Sequence, residues 1–313
     1  MHVSTVSLED IDRFVEAAGF PDHRMEVERY LERMFAAGSM RPEWCFVAQE
    51  GDVPVGRVAF WTLPGMEVPF ALVLLDVDWE NDHAAVGERL LRYALDAARA
   101  LGAEDIEHVI DDPPIPPQFQ HQAQRRIELL KDTGFDLRRE TGRYEWRGTA
   151  PPTDPGRLSF LALEEVGKEA FIEAMERVSE GTLDQEIRAE REKLGTTRAA
   201  QEFFDDAGRV QHDASSWQLA YAPNGELAGL VMPAEPPGFL TIFYVGVVPE
   251  MRGRGYVNDL LAAGTATLLA AASESGKPLI ADTDISNAPM ATAFERAGWT
   301  RFAARQEYVR DLG

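Results

Sequence analysis

The sequence predicts an α/β protein built from two tandem copies of one fold. Three observations carry this reading: a proline-rich break near the middle, the same order of hydrophobic segments on either side of it, and a length of 313 residues. That length suits two domains of ordinary size. The break holds Pro151, Pro152, Pro155 and Gly156. Proline lacks a backbone donor and fixes its own φ, so the segment can continue neither a helix nor a central strand. The expected organisation is a first domain over 1–149, a linker over 150–156 and a second domain over 157–313.

The elements of the first half follow from periodicity. Residues 44–48 and 55–61 read as strands joined through Gly51-Asp52, a hairpin signal. A third strand follows at 70–77. Over 84–101, Val86, Leu90, Leu91, Leu95 and Ala98 recur on one face of a helix, which Gly102 stops. A strand at 106–110, a helix at 120–133 ended by Gly134, and an extended segment at 137–146 complete the half. The second half repeats this order. Strands at 217–222 and 227–232 flank Asn224-Gly225, a strong hairpin signal. A strand at 240–248, a helix at 255–275, a strand at 279–282, a helix at 287–297 and a strand at 302–309 follow. Each half opens with a short strand and amphipathic helices, at 10–18 and at 168–178. Matching element order across a break is the signature of duplication.

Composition narrows the function. The chain carries 53 acidic and 31 basic side chains, a formal net charge of -22, with 45% hydrophobic residues. That balance excludes wholesale disorder and argues against nucleic acid and anionic membrane surfaces as partners, since both need clustered cations. An acidic field favours cationic small molecules. Cys45 is the sole cysteine. It allows no intrachain disulfide and no cysteine zinc site, and in Trp44-Cys45-Phe46-Val47 it reads as a core residue. The most apolar stretch, 260–272, is interrupted by Gly264, Thr265 and Thr267 and falls short of the ~18 residues of a membrane span. The N-terminus shows no basic stretch followed by an apolar one, so a cytoplasmic protein is expected.

The most informative segment is Val247-Val248-Pro249-Glu250-Met251-Arg252-Gly253-Arg254-Gly255-Tyr256-Val257-Asn258. A buried strand ends, a basic glycine turn follows, and a helix begins at once. The first amides of a helix lack internal partners and sit at the positive end of its dipole. Gly253 and Gly255 allow positive φ and close approach, so the turn can cradle an anion. It is neither a P-loop nor a dinucleotide fingerprint.

Together with Asn287-Ala288-Pro289-Met290 leading to Phe294-Glu295-Arg296-Ala297-Gly298-Trp299, this strand–turn–helix resembles the GCN5-related N-acetyltransferases (GNATs), in a tandem form. The likeness is strongest over 240–309. It implies a mixed, mostly antiparallel sheet flanked by helices in each half, and acetyl-CoA as cofactor. It implies a diphosphate on the amides of Arg252, Gly253, Arg254, Gly255, Tyr256 and Val257. The pantetheine arm would lie along the strand ending at Val247 and Val248. Asn287 and Phe294 would flank the cofactor. The resemblance further implies transfer of acetyl to a small-molecule amine by direct attack, with no acyl-enzyme. Two departures from the pattern stand out. Val257 replaces a small residue, and Phe294 occupies a position often filled by a tyrosine acid. Tyr244, Tyr256 and Ser286 are substitutes for that acid. Glu250, Asp282 and Asp284 are candidates for the base or for binding a cationic acceptor, and the last two could equally cap the next helix.

In the first half the equivalent turn reads Asp78-Trp79-Glu80-Asn81-Asp82-His83. Its arginines and glycines are gone and its carboxylates would repel a diphosphate, so this half is expected not to bind CoA in the usual way. His83 reads as an exposed loop histidine or a catalytic group; His108 and His121 have no second ligand at metal spacing, and no metal is expected. The charged segment 184–194 reads as a solvated helix face, and the resemblance makes such early helices a lid over the acceptor. The rival to an acetyltransferase is a non-catalytic acyl-CoA-binding or sensor protein, motivated by Phe294. Monomer and homodimer both remain open.

Overall fold

The computed structural model describes residues 1–17, 23–79, 83–148, 152–153 and 155–313. Two units emerge, one of Met1–Glu140 with Ala304–Gly313, the other of Thr141–Ala303. A large mixed sheet and a second, four-stranded antiparallel sheet are covered by helices, as expected for the duplicated α/β fold.

The first unit contains β1 (His2–Thr5), α1 (Ile11–Glu16), α2 (Arg24–Ala36), β2 (Cys45–Glu50), β3 (Val53–Trp61) and β4 (Ala71–Val77). Then come α3 (His83–Ala100), β5 (Asp105–Asp112), α4 (Ala123–Asp132) and the start of β6 (Asp136–Trp146). Strands β1 to β4 pair antiparallel in sequence order, and β4 meets β5 in parallel. Strand alternation buries both faces. Phe46, Ala48, Val58 and Phe60 pack with Leu90, Leu91 and Ala94 of α3. Cys45, Val47 and Ala59 pack with Phe14 of α1 and Leu31 and Met34 of α2. Cys45 is thus a core residue, and burial pushes its thiol pKa up.

The second unit repeats the plan. It holds β7 (Ser159–Ala162), α5 (Leu163–Val166), α6 (Lys168–Val178), α7 (Gln185–Leu194), α8 (Thr196–Ala207), β8 (Gln218–Tyr221) and β9 (Leu227–Ala234). It continues with β10 (Thr241–Val247), α9 (Tyr256–Ser275), β11 (Ile280–Asp284), α10 (Ala288–Arg296) and β12 (Trp299–Asp311). Strands β7 to β10 are antiparallel neighbours. Leu219, Leu230 and Met232 face α6 and α8, while Ala220, Val231 and Ile242 face α9 and α10.

The boundary differs from the proline break, and the reason lies in the last strand of each copy. Residues 141–145 of β6 pair with β11, from Ile280↔Glu145 to Asp284↔Thr141. Residues 304–311 of β12 pair with β5, from Ala304↔Asp112 to Asp311↔Asp105. Each copy therefore lends its final strand to the other's sheet. A pattern of hydrophobic alternation shows that a strand exists and not which neighbour it pairs with.

Candidate functional site

Strands β10 and β11 touch at one parallel bridge. Leu240 donates to the Pro278 carbonyl at 2.8 Å, and Ile280 donates to the Leu240 carbonyl at 2.8 Å. A bulge between Ile242 and Tyr244 then turns β10, and the remainder of the strand pairs with β9. Bulges bend a strand and end its pairing on one side. Among the described residues no side chain bonds to the backbone of Tyr244, Val245 or Gly246. The free edge of β10 can thus receive an extended group as a strand would. On one face of the strand α6 comes close: a Cβ on Gly246 would lie 2.2 Å from Cγ1 of Val178.

The first unit has the same split, but filled. β4 and β5 pair only at Ala71↔Glu107 and Leu72↔His108. Beyond that point Gln118 Oε1 accepts the Leu74 amide at 3.1 Å, and Arg126 donates to the Leu75 carbonyl. Gln120 Oε1 accepts the Asp111 amide at 3.0 Å. The loop before α4 and the first turn of α4 thus supply side chains to strand edges that would otherwise need partners. In the equivalent turn, Glu80, Asn81 and Asp82 lie outside the described residues, as does the His83 side chain.

The glycine turn of the second unit follows the free edge directly. Val248 is buried and its amide bonds the Ala228 carbonyl at 3.0 Å, fixing the end of the strand. A single 3-10 turn, Pro249–Met251, leads to Gly253 at φ 77 and Gly255 at φ 76, both left-handed. Gly255 caps α9 without a side-chain acceptor. The amides of Gly253, Arg254, Gly255, Tyr256 and Val257 have no partner among the described residues. Five free donors converge at the positive end of a 20-residue helix. Asn258, in the first turn, has a buried Oδ1 with no partner among the described residues. Val257 packs into the core beside α10, so its branched side chain is anchored there.

The arginines divide their labour in a way the sequence did not suggest. The Arg252 guanidinium donates to four carbonyls: Val247 at 3.1 Å, Gly181 at 3.3 Å, Val178 at 2.9 Å and Glu180 at 2.7 Å. It is a clamp between the glycine turn and the loop after α6. The exposed Arg254 side chain bonds, among the described residues, to the Glu250 carbonyl at 3.2 Å. Arg157, which sequence reasoning passed over, braces the turn. It donates to the Arg254 carbonyl at 3.0 Å and the Gly255 carbonyl at 2.9 Å, and it pairs with the fully buried Asp259. The Asp259 hydrogen bond chiefly raises the pKa of this guanidinium. No periodicity marks Arg157, because its partners lie about a hundred residues away.

The four candidates for proton transfer have different fates. Glu250 is ion-paired with Arg177. Hydrogen bonds from its own backbone and from Arg177 hold its carboxyl below the usual range, which suits a fixed charge and not a base. Asp282 accepts from Arg143 Nε at 3.1 Å. Asp284 is fully buried, and its Oδ2 accepts the Gln185 amide at 2.8 Å at the start of α7. Tyr244 packs on Phe203 at 5.1 Å, and its hydroxyl has no hydrogen bond to the described residues. Burial first, and then the charge of Asp184, raise its pKa. Of the remaining candidates, Asn287 caps α10 by accepting the Met290 amide at 3.3 Å. Phe294 is 2% exposed, stacked on Tyr144 at 5.3 Å and edge-on to Trp299 at 5.5 Å. The Phe294 ring packs in the core. Ser286 is exposed, 3.5 Å from Gln185 Nε2.

No protein-family model matches the sequence, and no curated protein matches it. Solved structures do. A GCN5-related N-acetyltransferase from Sphaerobacter thermophilus is 16% identical, with a TM-score of 0.63 over 99% of this chain and 95% of its own. A tandem GNAT protein from the clavulanic acid biosynthesis pathway is 14% identical, with a TM-score of 0.52 over 100% of this chain and 99% of its own. At such identities the likeness is one of fold. The split sheets, the duplicated order and these neighbours together give the chain the fold of the GCN5-related N-acetyltransferases, in its tandem two-domain form.

Proposed function

We propose that the chain is an acetyl-CoA-dependent N-acetyltransferase acting on a small-molecule amine, with the cofactor held by the second unit. The observation that supports this best is the pairing of a free β10 edge with five unpartnered amides at the start of α9. The same split in the first unit is filled by its own side chains. The donor set fits a diphosphate: backbone amides at a helix start, two left-handed glycines and the exposed Arg254.

Bound acetyl-CoA would supply an activated thioester, whose carbonyl carbon forms the new C–N bond as the C–S bond breaks. The chain's own residues would do the rest. Gly253 to Val257 would hold the diphosphate, and the β10 edge would align the pantetheine amides. Tyr244, whose pKa is raised by burial and whose hydroxyl bonds no described residue, is the candidate on the free strand itself. It would give its proton to the departing sulfur. A thiol of pKa about 8.5 leaves with little help, so Tyr244→Phe should lower kcat by roughly a hundredfold, at the low end of acid catalysis. Arg177 and Arg143 engage Glu250 and Asp282, and Asp284 holds α7, so the amine proton passes to water.

Calorimetric titration with acetyl-CoA tests the reading. Wild type should bind, and Arg254→Glu should weaken binding tenfold or more, about 1.4 kcal/mol. Absence of binding by wild type would sink it. The second reading, an acyl-CoA sensor without catalysis, draws on Phe294 standing where an acid is expected. Thiol release that depends on an added amine, and is lost with Arg254→Glu, would exclude it.

A further inference from the structure

A cavity of about 250 Å³ opens among the helices of the second unit, lined by Ser179, Gly181, Thr182, Arg188, Arg191, Glu192 and Thr196. Its wall carries two guanidiniums and three hydroxyls against one carboxylate, in a chain whose net charge is -22. Local positive charge against that background needs a reason. Arg191 is anchored through one nitrogen, which donates to the Glu176 carbonyl at 2.8 Å and to Ser179 Oγ. Its other donors remain available. The Arg188 guanidinium is exposed and has no partner among the described residues, although the ends of α7 are otherwise tied down.

The cavity wall and its helix are tied to the glycine turn and to the end of β11. Gly181, on its wall, has its carbonyl held by Arg252 of the glycine turn at 3.3 Å. Gln185, at the start of the same helix, is held by Asp284 at the end of β11 at 2.8 Å. A molecule seated against Arg188 and Arg191 would therefore lie near the glycine turn and the end of β11.

We propose that this cavity is the acceptor's anchoring site and that it takes an oxyanion, so that the acceptor is an amine carrying a carboxylate or phosphate. Planar guanidiniums bind such groups through paired, charge-assisted hydrogen bonds, and Thr182 and Thr196 can add hydroxyl donors. The proposal rests on the acetyltransferase reading for the word acceptor, and reverses the cationic preference that the net charge suggests. Global charge sets the distant field, whereas nearby guanidiniums govern contact.

The test uses matched amines that differ only in the anion. L-amino acids would be compared with their carboxamides, and phosphoethanolamine with ethanolamine, first by thermal shift on the full chain and then by thiol release with acetyl-CoA. Anionic members should stabilise wild type and their neutral partners should not. The preferred set, acids or phosphate, identifies the oxyanion. Arg188→Gln should abolish the shift and raise KM for the anionic amine at least tenfold with kcat little changed, while acetyl-CoA affinity stays within twofold. Equal shifts by acids and amides, no shift by any anion, or no effect of Arg188→Gln would overturn the proposal. So would weakened acetyl-CoA binding in Arg188→Gln, because the cavity would then belong to the cofactor. If acetyl-CoA does not bind wild type but anions still stabilise it through Arg188, the anion site stands and the acetyltransferase reading fails.

Discussion

At the scale of single residues, the glycine turn depends on side chains that never meet the anion. Asp259 is fully buried and Arg157 is 41% exposed, so the pair spans the border between core and solvent. Removing the cation leaves a buried carboxylate without its counter-charge and frees the Arg254 and Gly255 carbonyls. Arg157→Gln should therefore lower stability by roughly 2–3 kcal/mol. It should also weaken acetyl-CoA binding, because the amides that face the anion share peptide groups with those carbonyls. Urea unfolding and calorimetry read the two effects separately, and no change in either would refute the bracing role. The turn's glycines and basic residues were legible in the sequence, since strand, glycine and helix signals are all local. The division of labour among the arginines was not. Whether Arg252 points at a ligand or clamps the carbonyls of residues 178–181 depends on a segment seventy positions away.

At the scale of elements, the two split sheets differ in what fills them. Among the described residues, His108 on β5 is fully buried beside the filled split. Its Nδ1 lies 2.9 Å from the Leu72 carbonyl and its Nε2 lies 3.4 Å from Gln120. Burial is the main cause that lowers its pKa from 6.5 to about 4. Between these values the unfolded chain binds a proton that the folded chain refuses. Stability is thus complete above pH 6.5 and falls as pH drops through this window, by on the order of 3 kcal/mol. The urea midpoint should decline between pH 7.5 and 4.5, and His108→Gln should shrink that decline; an unchanged pH slope would refute the assignment. The sequence correctly placed both sheets' strands to within a few residues, because period-2 burial on two faces is written into Phe46-Val47-Ala48 and Leu230-Val231-Met232. It showed lost charge complementarity in the first half, but not the glutamines that close it, since Gln118 and Gln120 fit no local pattern.

At the scale of the whole molecule, the exchanged final strands tie each unit's integrity to the other end of the chain. Tyr308, near the C-terminus, is 2% exposed and packs in the core of the first unit with Phe46, Leu90 and Ile106. Tyr308→Ala should destabilise that unit by about 3–5 kcal/mol through loss of buried area and the cavity left behind. Hydrogen exchange should then quicken in β5 while α9 and β9 keep their protection. Loss of protection confined to the second unit would contradict the exchange. The domain boundary read from Pro151 to Gly156 missed this, because a proline break marks where the chain is irregular and not where its contacts divide.

By itself the sequence determined the duplicated α/β order, the core role of Cys45 and the place of the glycine turn. These follow from short-range periodicity and from backbone chemistry that glycine and proline impose locally. Only the tertiary structure decided which strands pair, which split is open and which charges are spent. Those outcomes rest on contacts between residues far apart in the chain: Arg157 with Asp259, Arg252 with Gly181, Asp284 with Gln185. Burial then decides whether each charge is a brace, a clamp or a free group able to meet a ligand.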